Sequence, residues 1–358
     1  PHALERHRRR RGLEEGLAYR VRVFLPSAPQ EPVALDVKVA GREETEVMGE
    51  KRILWRVEGL MRVGGAVVDT VEWVSDEWVV WRMEALRGMV RGYKLPRELA
   101  VKKGEVKELF LATLVVPDRK IEDPRRVRRM RYRLTLPAGE SFPAFPEGAG
   151  QRVVAREGSR LAVEIGPVAV ADPLSRPVRR QGLERYLAAT PFLQAGDPAL
   201  QEKTLALVGE EKDALAAARI LEKWVCDNIQ EKHLGLGFAT AAEVMENREG
   251  DCSEHAVLLA AMCRAAGIPS RVAAGLIYAD SLAAAGKAGR GAFGYHMWTE
   301  VFVGKWVPLD ATLGLGYCDA THIALARSAM ESESAMFELV PVGLYIGRLE
   351  LEVLPAGA

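Results

Sequence analysis

The sequence predicts an α+β protein in two parts. An N-terminal antiparallel β-rich domain is expected over residues 1–170. A C-terminal domain over 171–358 is expected to pack helices on an antiparallel sheet. Three observations carry this. Apolar–polar alternation rich in Val, Trp and Tyr runs from about residue 17 to 165. A break with two prolines and a serine, Ala171 to Pro177, reads as a linker. Beyond it apolar residues recur at i, i+3 and i+4 before alternation returns near residue 271.

In the first part, Leu17 to Leu25, Val33 to Val39, Ile53 to Val57 and Val71 to Trp81 are strand-like. Ser75-Asp76-Glu77 is a hairpin tip, and Glu157-Gly158-Ser159 another between Val153-Val154 and Leu161 to Ile165. Arg129, Arg131 and Arg133 would share one strand face, read as solvated rather than as a polyanion site. In the second part, Pro198 to Val208, Asp213 to Ile229 and Thr240 to Glu246 read as helices. Ser253 to Ala266 is nearly all apolar after its first turn, so it is expected to be a buried central helix, ended by Gly267 and Pro269. Strands follow at Arg271 to Tyr278, Tyr295 to Val303 and Trp306 to Leu309, with an Ala/Gly-rich loop at 282–293.

Composition excludes several classes of function. Lys+Arg and Asp+Glu both number 49, a zero net charge that argues against a nucleic-acid partner. Hydrophobic residues are 48% and charged residues 27%, as in a globular chain with a core. No apolar run reaches the roughly 18–20 residues of a membrane span. The chain opens on Pro1 with a basic run, His7 to Arg11; this is expected to be a solvated end, or to flank a removed export signal or anchor. Four cysteines stand at 226, 252, 263 and 318 without a CxxC pair, so neither a structural zinc site nor a disulfide framework is expected. Cys226 and Cys263 have apolar neighbours and read as core; Cys318 lies in a loop.

Three segments carry the chemistry: Gly250-Asp251-Cys252-Ser253-Glu254-His255, Gly294-Tyr295-His296-Met297-Trp298 and Trp306-Val307-Pro308-Leu309-Asp310. Asp251 and Glu254 form a D-x-x-E capping box, which puts Cys252 on the first helical residue. Unpaired N–H groups and the helix dipole favour the thiolate there, while the two carboxylates oppose it. A nearby imidazolium would tip the balance. His296 can supply it if Asp310 holds its other nitrogen. A strict two-residue turn at Gly304-Lys305 would put His296 and Asp310 on opposite sheet faces. Their meeting therefore predicts an odd register, with Gly304 in the left-handed region.

The runs GDCSEHA, GYHMWTEV and WVPLDAT, followed by Asp319-Ala320-Thr321-His322-Ile323, resemble the transglutaminase-like superfamily, particularly its bacterial branch, over roughly residues 180–330. The resemblance implies a papain-like core with Cys252 as nucleophile, His296 as general base and acid, and Asp310 orienting the histidine. It also implies an extracytoplasmic, cell-envelope setting and a protein or peptide substrate. The family places an aromatic or amide side chain upstream of the nucleophile to help hold the oxyanion. Here that stretch, Ile229 to His233, has no Tyr or Trp, and leaves Gln230 or His233 as stand-ins. His255 and Trp298 are further candidates for supporting the site, although His255 also reads as a hydrogen-bonded structural residue, as does His322. No metal or other cofactor is expected, since no acidic cluster of the calcium-binding kind is present.

Three functions are compatible with these residues. One is thiol-dependent acyl transfer or hydrolysis at an amide. Another is a non-catalytic binding or scaffold protein that keeps the fold. Acyl transfer from a CoA thioester ranks last, because no nucleotide site is evident.

Overall fold

The computed structural model describes residues 2–25, 28–63, 66–85, 90–100, 113–142, 144–231, 239–280, 291–331, 339, 342, 345 and 347–355. It is a mixed α+β structure that divides into two compact units, Pro1–Val106 and Lys107–Ala358.

The first unit is a meander. After α1 (His2–Arg11), strands β1 (Ala18–Leu25), β2 (Ala28–Val47), β3 (Glu50–Val63), β4 (Ala66–Val74), β5 (Val80–Ala85) and β6 (Val90–Tyr93) pair antiparallel in sequence order, followed by the single turn α2 (Arg97–Ala100). Alternation dictates its two faces. Leu35, Val37, Val39, Val57 and Val74 bury one side together with Trp78. On the other, Val47, Leu54 and Trp73 form a smaller cluster. The hairpin tip at Ser75-Asp76-Glu77 lies between β4 and β5, as expected.

The second unit has two four-stranded sheets and a layer of helices. One sheet has the order β16-β7-β9-β8, from β7 (Met130–Thr135), β8 (Gln151–Glu157), β9 (Arg160–Ile165) and β16 (Glu350–Leu354). The change of period in the sequence suggests a boundary at residue 170, whereas the compact units part at 106–107. The reason is long-range pairing: β7 is bridged to the C-terminal strand β16, and the Gln151 amide both donates to Ala324 O (2.9 Å) and accepts from Ala324 N (2.8 Å). Arg129 and Arg131 are ion-paired with Glu164, and Arg133 with Glu352.

The segment Ala171 to Pro177, expected to be a linker, is tied down by backbone hydrogen bonds within it and just after it. Leu174 N donates to Val303 O, Arg176 N to Lys212 O and Val178 N to Gly267 O. Its prolines remove donors, while the N–H groups of Leu174 and Arg176 are met by neighbouring segments.

Helices α3 (Pro198–Val208), α4 (Ala214–Asn228), α5 (Ala241–Asn247) and α6 (Cys252–Ala265) follow. Asp197, Asp213, Thr240 and Asp251 cap them through their side chains, which explains why the sequence marked their starts so well. Every residue of α6 from Ser253 to Arg264 is buried. It packs between the other helices and the second sheet, β14-β13-β12-β15, formed by β12 (Ser270–Ala279), β13 (Ala292–Phe302), β14 (Trp306–Leu309) and β15 (Ile323–Ser328). A parallel two-residue pair, β10 (Gln230–Glu231) and β11 (Glu249–Gly250), leads into α6. Among the described residues no helix is long and apolar enough to cross a membrane.

Candidate active site

The site is assembled where the start of α6 meets β13 and the end of β14. At the helix tip the capping box is complete. Asp251 accepts from Ser253 N (2.8 Å), and Glu254 accepts from Asp251 N (3.0 Å). Burial opposes ionisation of both carboxyls. Hydrogen bonds from Ser253 and Glu254 nonetheless hold Asp251 below its ordinary range, whereas burial and the neighbouring Asp251 push Glu254 up. The two carboxyls titrate as a pair, with the proton held preferentially on Glu254. Cys252 is the first helical residue and is half-buried.

Strand β13 brings His296 close enough to Cys252 for the thiol to favour the protonated ring. Its Nε2 donates to Asp310 Oδ2 at 2.9 Å, leaving Nδ1 as the nitrogen for the thiol. The hairpin register makes this possible. Phe302 pairs with Trp306 and Thr299 with Leu309, so Val303, Gly304 and Lys305 form a three-residue connection. Gly304 takes it at φ 106°. This odd register puts residues 296, 298 and 310 on one face, as the sequence argument required.

Asp310 is fully buried, with every carboxylate contact a donor. Oδ2 also accepts from His322 Nε2 (3.2 Å), and Oδ1 accepts from Thr312 N (2.9 Å). Burial opposes its charge, but the two imidazoles outweigh that and hold Asp310 far below the usual carboxylate range. Reciprocally, burial would lower His296. The Asp310 charge and hydrogen bond, with the Cys252 contact, reverse the sign and raise it to about 9.

The remaining sequence candidates fall into place unevenly. His255 is buried and its Nδ1 donates to Asp251 O at 2.7 Å, within its own helix turn, rather than joining His296. Trp298 stacks near His296 (centroids 6.3 Å apart) and edges onto His322 (5.3 Å); its buried Nε1 has no hydrogen-bond partner among the described residues. Gln230 is exposed on β10, where its backbone N–H donates to Arg248 O at 2.9 Å. His233 lies outside the described residues, as does most of the 282–293 loop. Cys263 is fully buried and burial drives its thiol up. Half-buried Cys226 places its Sγ 3.9 Å from Thr312 O.

Two residues stand closer to the site than sequence reasoning placed them. His322, read as a structural hydrogen bonder, shares Asp310 with His296. Glu222 was passed over on α4. Its buried carboxyl accepts from Gly316 N (3.2 Å) and lies near enough to Asp310 to feel both its backbone and its charge, bracing the loop that carries Asp310. Burial lifts it to about 8, and the charge of Asp310 adds to the rise. A signal was present, since Glu222 sits at helical spacing among Ala218, Val225 and Ile229, an apolar stripe. His296, Asp310 and His322 also have donor atoms within 4.8 Å of one another, a spacing that a metal could use. Their mutual hydrogen bonds already occupy those atoms.

Residues 201–311 match the family described as Transglutaminase-like superfamily. An uncharacterized protein of Haemophilus influenzae is 28% identical over 151 residues, 36% of this chain; the chain spans 40% of that relative's length. Among solved structures, a putative cysteine protease from Cytophaga hutchinsonii is similar at 13% identity, covering 63% of this chain and 81% of that one (TM-score 0.39). The periplasmic domain of TgpA from Pseudomonas aeruginosa is similar at 18% identity, covering 63% and 78% (TM-score 0.37).

Proposed function

The chain carries a transglutaminase-like superfamily domain over residues 201–311, and on that premise we propose that it is a cysteine-dependent enzyme acting on amide carbonyls. The observation that carries the proposal is the chain of contacts from Cys252 at a helix start, to His296, to Asp310.

In this mechanism His296 takes the Cys252 proton and the thiolate attacks the carbonyl carbon. Backbone N–H groups at the start of α6 stabilise the oxyanion. The imidazolium then gives its proton to the leaving amine, the C–N bond breaks, and a thioester remains. Water or a second amine, deprotonated by His296, adds to the thioester and releases the thiol. Asp310 keeps the ring oriented and stabilises its cationic form. Water as acceptor makes the protein a peptidase or amidase, and a lysine-like amine makes it a transferase. Protein or peptide substrates and an extracytoplasmic setting belong to the same proposal, and cell fractionation checks the latter.

The decisive experiment incubates the protein with a glutamine-containing peptide and a primary amine and follows the products by mass spectrometry. Cleavage or amide formation, lost in Cys252→Ala, supports the reading. Unchanged peptide, together with equal iodoacetamide labelling of all four cysteines, would leave a scaffold that only retains the fold.

A further inference from the structure

The triad accounts for one of the two imidazoles on Asp310. His322 is buried to 4% exposure, and its two ring nitrogens face different acceptors. Nε2 lies 3.2 Å from Asp310 Oδ2. Nδ1 lies 3.2 Å from the Asp319 carbonyl oxygen and 3.4 Å from Asp319 Oδ1. Neither a carbonyl nor an ionised carboxylate can donate. A neutral imidazole, which has one N–H and one lone pair, would therefore aim a lone pair at an oxygen on one side. Only the doubly protonated ring satisfies both contacts.

The surroundings hold that state. Asp319 is itself ionised, because its hydrogen bonds from His322 and Thr321 and its ion pair with Arg125 (2.6 Å) overcome its burial. The charged and titratable groups around His322 are Asp310 from the end of β14 and His296 on β13. Asp319 and Cys318 face it from the loop before β15, and Glu300, Arg327 and Arg128 line the same small cavity.

We propose that His322 is a positioning residue. It stands as an imidazolium between Asp310 and Asp319, fixes the Asp310 carboxylate beneath His296, and offsets part of the negative charge that His296 feels. This rests on the Cys252–His296 reading above and adds a second cation to it. Sharing has a chemical consequence. An uncompensated buried aspartate would hold the proton on His296 too tightly for it to be passed to a leaving amine. A cation on the far side of the carboxylate moderates that hold while leaving the geometry rigid. The ring centres of His296 and His322 are 5.9 Å apart. At an effective dielectric constant of about 20, removing the His322 charge is expected to move the ionisations of the Cys252–His296 pair upward by about one to two pH units.

Two measurements test this. Nitrogen-15 NMR of the histidine rings at pH 7 is expected to show His322 protonated on both Nδ1 and Nε2; a neutral tautomer overturns the proposal. The second is the pH profile of Cys252 alkylation by iodoacetamide in the native protein and in His322→Gln, which keeps a donor for Asp310 without the charge. Both limbs of the profile are expected to move to higher pH by one to two units, with the melting curve confirming that the variant is folded. Superimposable profiles would mean that His322 is only a structural support. If the native protein shows no preferential low-pH reaction at Cys252, the nucleophile reading fails instead. The NMR result still judges the His322 charge in that case, so the two failures are distinguishable.

Discussion

Replacing Glu222 with Gln should make the protein more stable at alkaline pH while leaving it nearly unchanged near pH 4.5. Glu222 is 1% exposed, lies under the loop 310–316, and is pushed from its ordinary 4.5 to about 8 by burial and by Asp310. Below about pH 4.5 the carboxyl is protonated in both the folded and the unfolded chain. Between there and about pH 8 only the unfolded chain releases the proton, so folding stability falls as pH rises, by about 1.4 kcal/mol per unit. Above that the loss is complete, at about 4–5 kcal/mol. Gln keeps a carbonyl oxygen for the Gly316 N–H and cannot ionise, so it escapes the loss. Urea unfolding of both proteins at pH 5, 6, 7, 8 and 9 gives a difference curve free of other titrating groups. The variant is expected to gain steadily up to about pH 8 and then level off. A difference that stays flat across this range would show that Glu222 ionises as an ordinary carboxylate. Burial would then not govern the charge of Glu222.

Other expectations follow from the same contacts. Cys252→Ala and His296→Ala should abolish turnover of an amide substrate, and Asp310→Asn should lower kcat by about 10⁴-fold and also lower the melting temperature, because two buried imidazoles lose their carboxylate, as judged by steady-state kinetics beside thermal circular dichroism. Because Asp310 raises His296 to about 9, its cationic form persists through neutral pH; activity should fall above about pH 9, where the proton for the leaving amine is lost. A pH–rate profile with its alkaline limb near 7 would contradict this. Gly275 pairs with both His296 and Ala324, and a Cβ there would meet Ile323 O at 2.0 Å. Gly275→Ala should therefore cost about 1–3 kcal/mol in thermal unfolding and reduce activity by displacing β15 from β12.

Much of the candidate site is legible in the chain itself because its signals are local. Helix starts are written in capping residues, so Asp251 and Glu254 place Cys252 on the first turn of α6 without any tertiary information. The hairpin parity of His296 and Asp310 is likewise arithmetic within fifteen residues, closed by Gly304. What failed was non-local. A boundary at 170 looked natural from the change in period, but strand pairing between β7 and β16 joins residues more than two hundred positions apart, and no local pattern announces it. Strand β15, Ile323–Ser328, is buried on both faces and so lacks the alternation by which strands are recognised.

The amino-acid order alone thus determined which side chains could do chemistry and which helix end and hairpin would present them, since caps and turns act over three to five residues. Only the tertiary structure decided what surrounds Asp310. His322 arrives from the loop before β15 and Glu222 from α4, and both reach it by packing rather than by spacing. Whether a buried carboxylate or imidazole carries charge depends on the groups that enclose it in three dimensions. That enclosure, with two rings on one carboxylate oxygen and a carboxyl under its backbone, was assembled by the fold.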